Sequence, residues 1–273
     1  MEKIPISVVV SVKNEALNLP LCLEKLNPFS EVVVVDSQST DDTPAIVKSF
    51  GFKLIDFKWN GKFPKKRNWT LENVTLKNEW VLFLDADEFL TKSFVKELSE
   101  KIECTKENGF WIFYNNYFMG KEQKYGLKMR KLALFKKTKG RFEKIEEDSW
   151  SQLDMEIHEH PIIEGSVGKL KSSIIHKDFK GLKHYIDRHN AYSSWEASRF
   201  MNLKKENPTK LTFRQQLKYS LLNSGLLPYI YFIGTYFFKL GILDGITGFY
   251  FARYKANYFF QIQTKIKELR LKS

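Results

Sequence analysis

The sequence predicts an α/β fold, with a doubly wound, mainly parallel sheet followed by a helical, membrane-associating region. Over the first hundred residues, short β-branched runs alternate with amphipathic segments. Strand–helix–strand order implies parallel strands joined by right-handed crossovers. The last quarter of the chain instead has long aromatic and apolar stretches with basic flanks, which indicates a different kind of structure.

Four runs have the nearly continuous apolar pattern of strands that are buried on both faces. They are ISVVVSV at 6–12, EVVVVD at 31–36, FKLIDF at 52–57 and WVLFLDAD at 80–87. Between them, apolar spacing predicts a helix from Asn14 to Leu26. A second helix is predicted to start near Thr43, with Thr43 as its cap and Pro44 in its first turn.

Polar clusters follow three of these strands. They comprise residues 13–15, 36–42 and 85–88. Ligands of parallel sheets bind beyond the carboxyl ends of the strands, where backbone groups converge. One polar loop is ordinary, but three at the same edge of a sheet indicate a binding site.

Asp85 and Asp87 end the fourth strand, where an unpaired buried carboxylate is costly. On an extended segment the two side chains point the same way. Two converging carboxylates suit Mg²⁺ or Mn²⁺, because such ions commonly take one or two carboxylates plus substrate phosphates. In the alternative interpretation, one aspartate caps a following helix and the other is solvated.

The remaining chain predicts an acceptor half and a helical extension. Extended segments are expected at 109–120, 129–143, 155–163 and 171–179, and a helix at 183–205. We therefore expect a catalytic domain over 1–182, with a nucleotide-binding half at 1–95 and an acceptor half at 96–182. Residues 183–273 would form the extension.

The extension is strongly basic and aromatic. The whole chain has a net charge of +12. From Met201 onward there are twelve Lys or Arg and three Asp or Glu, a net charge of +9. The stretch from Tyr219 to Phe238 has no charged residue and is long enough to cross a bilayer, although Gly225 and Pro228 interrupt it. An interfacial or re-entrant segment is the favoured interpretation of residues 219–251, with a true span and a packed helical pair as the alternatives.

Composition and motifs also bear on the cellular compartment and on two other classes of protein. Cys22 and Cys104 indicate neither a disulfide framework nor a zinc site, and the N-terminus lacks the pattern of a signal peptide. We expect a cytoplasmic protein, peripheral on the inner face of the cell membrane. A sugar-nucleotidyltransferase would need a Gly-rich loop, which KNEALNLP lacks. A basic nucleic-acid-binding protein is suggested by charge alone, but no recognition motif supports it, so no nucleic-acid partner is expected.

Four motifs occur together in one order and spacing: SVVVSVKNEALNL, VVVVDSQSTDDT, KKRNWTLE and LFLDADEFL. Together they resemble glycosyltransferase family 2, strongly over residues 4–95 and more weakly through HEHPIIEGSVG, IIHKDF and the C-terminal segments. The whole is similar to the bacterial lipopolysaccharide-core and envelope-glycan branch. The resemblance implies a GT-A fold and inverting transfer from a nucleotide-diphospho sugar, expected to be a UDP-sugar, to a saccharide or lipid-linked acceptor.

The resemblance also implies residues that bind the donor. Glu15 and Asp36 would hold the nucleoside, with Asp36 accepting the imide hydrogen of uracil. Arg67, with Lys65 or Lys66 nearby, would approach the phosphates, because its planar fork matches their oxygens. In the alternative interpretations Asp36 only caps a turn and Arg67 lies in a solvated basic turn. The donor-binding set is completed by three residues: Val10, Asp85 and Ala86.

Metal and base roles are implied in the same way. Asp87 would coordinate the metal, and His176 would complete the metal or diphosphate site unless it is structural. Inversion needs a carboxylate that takes the acceptor's proton. Glu159, in the HEH stretch, is the first choice, followed by Asp154 and Glu156. A two-histidine metal site and a surface carboxylate are the other interpretations of HEH.

Overall fold

The computed structural model describes residues 2–145, 147–148, 150–151, 154, 161–203 and 213–272. It has two compact units. The first comprises residues 1–117 and 129–179, and the second comprises 118–128 and 180–273. The extension was predicted to start at residue 183. Residues 118–128, which were assigned to the predicted acceptor half, belong to the second unit.

The first unit is built on a mixed, mostly parallel sheet. Its strands are β1 (Ile4–Val12), β2 (Phe29–Asp36), β3 (Lys53–Asp56), β4 (Trp80–Asp85), β5 (Glu88–Phe89), β6 (Gly109–Phe118), β8 (Arg130–Lys136) and β11 (Val167–His176). Their order is β3-β2-β1-β4-β8-β6-β11-β5. Neighbours are parallel from β3 to β4 and between β6 and β11, whereas β8 runs antiparallel to β4 and β6, and β5 runs antiparallel to β11. A separate two-stranded sheet pairs β9 (Gly140–Phe142) with β10 (Pro161–Ile163). The predicted α/β class is confirmed.

Burial on both faces explains why the central strands are rich in valine. Val8, Val9 and Val10 of β1 are fully buried, as are Val33 and Val34 of β2. Parallel strands covered on both sides have continuous apolar runs rather than alternation. The core of the first unit therefore lies along β1, β2 and β4, and it supports the edge at which these strands end.

The described residues of this unit form four helices: α1 (Leu19–Glu24), α2 (Thr43–Ser49), α3 (Lys66–Asn73) and α4 (Lys92–Cys104). Helix α1 is shorter than predicted, because Asn14 has a positive φ of 55° and Pro20 lies in the first turn. Helix α2 starts at Thr43 as predicted, but its cap position is Asp42. The hydroxyl of Thr43 instead accepts a hydrogen bond from the Glu15 backbone N–H at 2.8 Å.

The second unit is mainly helical. It contains β7 (Lys121–Gln123), α5 (Gly181–Leu203), α6 (Phe213–Ser224), α7 (Leu227–Ile233), a π-helical segment (Gly234–Phe238), a 3₁₀ turn (Gly241–Asp244) and α8 (Gly245–Lys272). The charge-free stretch 219–238 is divided among three of these elements. The break lies at Gly225, whose φ of 81° favours glycine, and Pro228 follows in the first turn of α7. In the described parts of the chain, no helix combines the length and apolar character needed to cross a membrane.

Packing in the second unit is centred on α8, against which α5 and α7 lie. Among the residues that the structure describes there, the core comprises seven buried side chains: Ala197, Phe200, Tyr219, Leu222, Leu227, Ile262 and Ile266. Tyr219, Leu222 and Leu227 of the charge-free stretch belong to this core, so part of that stretch is buried within the second unit.

Candidate active site

The predicted acidic clusters meet at one edge of the sheet. In the register of the parallel strands, Val12 of β1 lies opposite Asp36 of β2, and Ser11 lies opposite Asp85 of β4. Asp36 and Asp85 therefore flank the end of β1 on either side. The expectation that these clusters share an edge is borne out.

Hydrogen bonds join the loops that follow β1 and β2. The Asn14 backbone N–H donates to Ser39 Oγ at 2.7 Å, and Asn14 Oδ1 accepts from the Thr40 N–H at 2.8 Å. The Ala16 N–H donates to Asp41 Oδ2 at 3.1 Å. These bonds hold the polar loops in a defined arrangement around the strand ends.

The two residues predicted to hold a nucleoside lie in these loops. The Asp36 carboxylate is buried and accepts from both the N–H and the hydroxyl of Ser39, the latter at 2.5 Å. Glu15 Oε2 accepts from the Asn18 amide at 2.9 Å, and Asn18 also donates to Asp178 Oδ1 at 3.0 Å. Asp36 thus caps the turn after β2. A carboxylate has about four acceptor positions, so capping is compatible with one further donor.

The lysines of the KKRN motif are buried at the start of α3 and do not lie in a solvated turn. Lys65 and Lys66 are 3% and 2% exposed. Lys65 Nζ pairs with Glu147 Oε1 at 2.6 Å. Lys66 Nζ donates to the Val12 carbonyl at 3.0 Å and lies 3.8 Å from Asp154 Oδ2, and burial lowers its pKa. Lys66 therefore fixes the start of α3 against the end of β1.

Arg67, the third basic residue of this motif, holds Asp85. Its Nη2 donates to Asp85 Oδ1 at 2.9 Å, and Lys131 Nζ lies 3.8 Å from Asp85 Oδ2. Desolvation raises the pKa of Asp85, but the charges of Lys131 and Arg67 outweigh it and keep that pKa below its usual value. Asp85 is therefore an ionised carboxylate between two cations.

Asp87 has a different partner, because β4 ends at Asp85 and Ala86 and Asp87 form a turn. The expectation of an extended segment through Asp87 is thus wrong. Asp87 Oδ2 lies 3.4 Å from His176 Nε2, and His176 Nδ1 lies 3.1 Å from Asn116 Oδ1. The last residue of β11 and the turn after β4 are thereby brought together.

This pair fits a divalent cation in its donor chemistry. With its proton on Nδ1 and donated to the amide oxygen of Asn116, His176 directs an Nε2 lone pair toward the carboxylate of Asp87. A cation shared between the two would remove that repulsion, as would protonation of the ring. In the part of the chain that the structure describes, no group of three or more metal-ligating side chains is present. Phosphate oxygens of a substrate are common further ligands of Mg²⁺ beside one or two carboxylates.

Sequence reasoning missed Lys131 and Tyr114. Glu88 is 1% exposed and accepts from Lys131 Nζ, from the Tyr114 hydroxyl and from the Asp85 backbone N–H at 3.1 Å. Burial raises the pKa of Glu88. Glu88 stands next to Asp87 in the sequence. Its partners Lys131 and Tyr114 lie on β8 and β6, and no local sequence pattern predicts that pairing.

Two predicted donor-binding residues are buried in the core. Val10 lies two positions before the end of β1 and is fully buried, and Ala86 is buried in the turn after β4. Both lie next to strand ends that carry the acidic residues. Their donor-binding roles stay predictions.

The candidate bases are only partly within the described residues. Glu159 and Glu156 lie outside them, as does the rest of the HEH stretch, with its possible two-histidine metal site. Asp154 is described: its backbone carbonyl accepts from the Lys66 N–H at 3.2 Å, in addition to the side-chain contact given above. The choice of base therefore stays a prediction.

Comparisons with known proteins identify the family of this chain. The family model for glycosyl transferase family 2 matches residues 7–152, more than half of the chain. The lipopolysaccharide core biosynthesis glycosyltransferase LpsC of Rhizobium meliloti (strain 1021) is 28% identical over 278 residues, covering 97% of this chain and 92% of that protein. A glycosyltransferase of Rickettsia felis is 40% identical over 104 residues, or 38% of this chain and 34% of its own. The crystal structure of S. aureus TarS 1-349 aligns over 100% of this chain and 92% of its own, with 16% identity and a TM-score of 0.44. The chain is a glycosyltransferase and belongs to glycosyl transferase family 2.

Proposed function

We propose that this enzyme transfers a sugar, with inversion, from a UDP-sugar to a saccharide or lipid-linked saccharide of a bacterial envelope glycan. The observation that carries the proposal is the edge where Asp36 and Asp85 flank β1 and where Asp87 meets His176. Similarity to LpsC along 97% of the chain supports an acceptor of the lipopolysaccharide-core type. Membership of family 2 favours glycosyl transfer over the nucleotidyl transfer considered above.

Each residue at the edge has a task suited to its chemistry. Asp36 would accept the imide hydrogen of uracil, because an ionised carboxylate only accepts. Arg67, which is oriented by Asp85, would donate to the diphosphate. Asp87 and His176 would hold Mg²⁺ or Mn²⁺, which supplies charge neutralisation for the diphosphate leaving group when bound.

Inversion requires attack from the face opposite the leaving diphosphate. The acceptor hydroxyl would form the new bond to the anomeric carbon as the bond to the diphosphate breaks, and a carboxylate would take the hydroxyl proton. Glu159 remains the first candidate for that base, followed by Asp154 and Glu156. Asp154 is supported by its position beside Lys66, which contacts the end of β1.

Titration of UDP in the presence and absence of Mn²⁺ tests the donor and the metal together. We expect Mn²⁺ to strengthen UDP binding by the wild-type enzyme and to have little effect on Asp87→Asn. Asp187→Asn is the matched control, because Asp187 lies in the second unit and pairs with Lys183. UDP affinity that does not respond to Mg²⁺ or Mn²⁺ in the wild-type enzyme would contradict the proposal.

The proposal also includes attachment to the inner face of the cell membrane. Within 226–250 the second unit exposes eleven large apolar side chains: Leu226, Tyr229, Ile230, Ile233, Phe237, Phe238, Leu240, Ile242, Leu243, Ile246 and Tyr250. We call them the apolar surface. Lys239 and Arg253 are exposed near it in sequence, and apolar residues with basic neighbours are typical of surfaces that enter a lipid interface. Sedimentation with anionic vesicles tests this, and Phe237→Ser/Phe238→Ser should weaken it.

A further inference from the structure

Strand β6 presents two side chains to His176, the residue that ends β11. Asn116 lies beside His176 in the parallel register of the two strands, and Tyr114 lies two residues earlier on the same face of β6. The centres of the Tyr114 and His176 rings are 5.2 Å apart. Asn116 Oδ1 lies 3.1 Å from His176 Nδ1, and Asn116 is 5% exposed. A ring and a buried amide of one strand therefore contact the imidazole together.

The main chain on either side of this contact is held in place. The Lys177 N–H donates to the Asp87 carbonyl at 2.9 Å, which joins the end of β11 to the turn after β4. His176 also lies opposite Glu88 in the antiparallel pair of β11 and β5. With the backbone of both candidate metal ligands held in this way, the rotation of the imidazole decides which ring atom faces Asp87.

The rotation of the ring is defined by an oxygen on each side. Nδ1 faces the amide oxygen of Asn116, and Nε2 lies 3.4 Å from Asp87 Oδ2. Half a turn of the ring would place carbon atoms against both oxygens and would break the hydrogen bond to Asn116. That hydrogen bond therefore favours the orientation in which Nε2 faces Asp87.

The position of the ring proton matters as much as the orientation. A neutral imidazole carries one N–H, and its other nitrogen is an acceptor. A proton on Nε2 would be donated to Asp87 and would occupy the lone pair that a cation needs. With Nε2 bound to a cation, the proton must lie on Nδ1, where it needs an acceptor. The amide oxygen of Asn116 is placed to be that acceptor.

We propose that Asn116 is a positioning residue, which orients the His176 ring and accepts its Nδ1 proton so that Nε2 is available to a divalent cation. The proposal rests on the metal role proposed above for Asp87 and His176. Asn116 acts through His176 and needs no contact of its own with metal or donor. Hydrogen bonds to the second nitrogen of a metal-binding histidine fix its tautomer and orientation, and their loss costs about 10- to 100-fold in metal affinity or activity.

Calorimetric titration with UDP, with and without Mn²⁺, tests the proposal on the full-length protein. Asn116→Leu keeps a side chain of similar size and removes the acceptor. We expect it to lower the Mn²⁺-dependent gain in UDP affinity by about tenfold or more and to leave UDP affinity without Mn²⁺ unchanged. The matched control is Asn115→Leu, the same substitution at the next residue, which is exposed on the other face of β6. Equal Mn²⁺ responses in wild-type and Asn116→Leu proteins would overturn the proposal.

Asn116→Asp separates the hydrogen bond from the packing of the side chain. It keeps an oxygen acceptor for the Nδ1 proton, so we expect its Mn²⁺ response to stay close to that of the wild-type protein. An Asn116→Asp protein that loses the response as fully as Asn116→Leu would count against the hydrogen bond as the cause. Circular dichroism checks the fold of each variant. If Asn116→Leu does not fold, Asn116→Val removes the same acceptor with a side chain suited to a strand.

The outcomes also separate this proposal from the function on which it rests. If UDP affinity of the wild-type protein does not respond to Mn²⁺ or Mg²⁺, the metal role fails, and the role of Asn116 fails with it. If wild-type, Asn115→Leu and Asn116→Leu proteins all respond equally, the metal role stands and the proposal for Asn116 alone is rejected.

Discussion

The two units of this protein treat buried charge in opposite ways. In the first unit, Asp85 lies between Arg67 and Lys131, and Glu88 is paired with Lys131 and Tyr114. In the second unit, Lys255 lies near the rings of Tyr185 and Phe251, and burial followed by the charge of Arg188 lowers its pKa to about 8. A buried charge needs a counter-charge. The first unit supplies cations for its buried acids, whereas in the second unit the cost of burying Lys255 appears as a lowered pKa.

The pairing of charged side chains has a different consequence in each unit. Arg67 and Lys131 hold Asp85. The nearby pair of Asp87 and His176 suits a divalent cation that also binds phosphate oxygens. In the helical unit, the buried ammonium group of Lys255 makes stability depend on pH instead. Four predictions test the comparison, from the largest expected effect to the smallest.

The largest effect is expected at Asp87. Asp87→Asn keeps the shape of the side chain but removes the charge that would hold a divalent ion beside His176. We expect sugar transfer, measured by release of UDP from a UDP-sugar, to fall by about a hundredfold or more, as when charge stabilisation of a leaving group is lost. Circular dichroism checks the fold. Asp187→Asn should keep full activity, and transfer by Asp87→Asn at the wild-type rate would show that the acidic edge has another purpose.

Lys131 tests whether the first unit depends on its internal counter-charges. Lys131→Met leaves Glu88 buried with its pKa raised by desolvation, and Asp85 with one cation fewer. We expect a loss of about 3 kcal/mol in the free energy of unfolding in urea, the cost of removing one partner of a buried pair. The double variant Lys131→Met/Glu88→Gln should regain part of that loss. If it is no more stable than Lys131→Met, the pairing with Glu88 is not the cause.

Lys255 predicts a dependence of stability on pH with a definite sign. Its pKa is about 8 in the folded protein and near the ordinary value of 10.5 when unfolded. Between these values the unfolded chain binds more protons, so the free energy of unfolding should rise with pH above about 8. Between pH 8 and 9.5 we expect a gain of about 1.5 kcal/mol. Lys255→Met should lack this rise, while Lys267→Met should keep it.

The smallest effect is expected for a hydrogen bond between uncharged groups, whose contribution to stability should not depend on pH. Thr91 Oγ1 accepts from the Phe94 N–H at 3.1 Å and so caps α4, and the same hydroxyl donates to the Ser173 carbonyl at 3.1 Å. Thr91→Ala should lower the free energy of unfolding by about 1 kcal/mol, with no dependence on pH between 6 and 9. A pH-dependent loss of the same size would mean that charged groups nearby, rather than the cap, respond to the substitution.

Much of the first unit could be predicted from local pattern. The valine-rich runs indicated parallel strands, and strands of that kind bring their carboxyl ends to one edge, which placed Asp36 and Asp85 together. The predicted length of α1 was too great, because the apolar spacing at residues 14–26 does not reveal that Asn14 has a left-handed backbone conformation. The Asp85–Asp87 segment was expected to be extended, since D-x-D spacing alone does not reveal where a strand ends.

The sequence by itself determined the α/β class, the membership of glycosyl transferase family 2 and the acidic edge, because β-branched runs and strand-end motifs are local signals. Only the tertiary structure decided which cation meets which acid. Strand β8 lies beside β4 although about fifty residues separate their starts, and this pairing brings Lys131 to Asp85 and Glu88. Antiparallel insertion of that kind depends on long-range packing. The same reason applies to Lys255 and His189, whose side chains meet because α5 packs along α8.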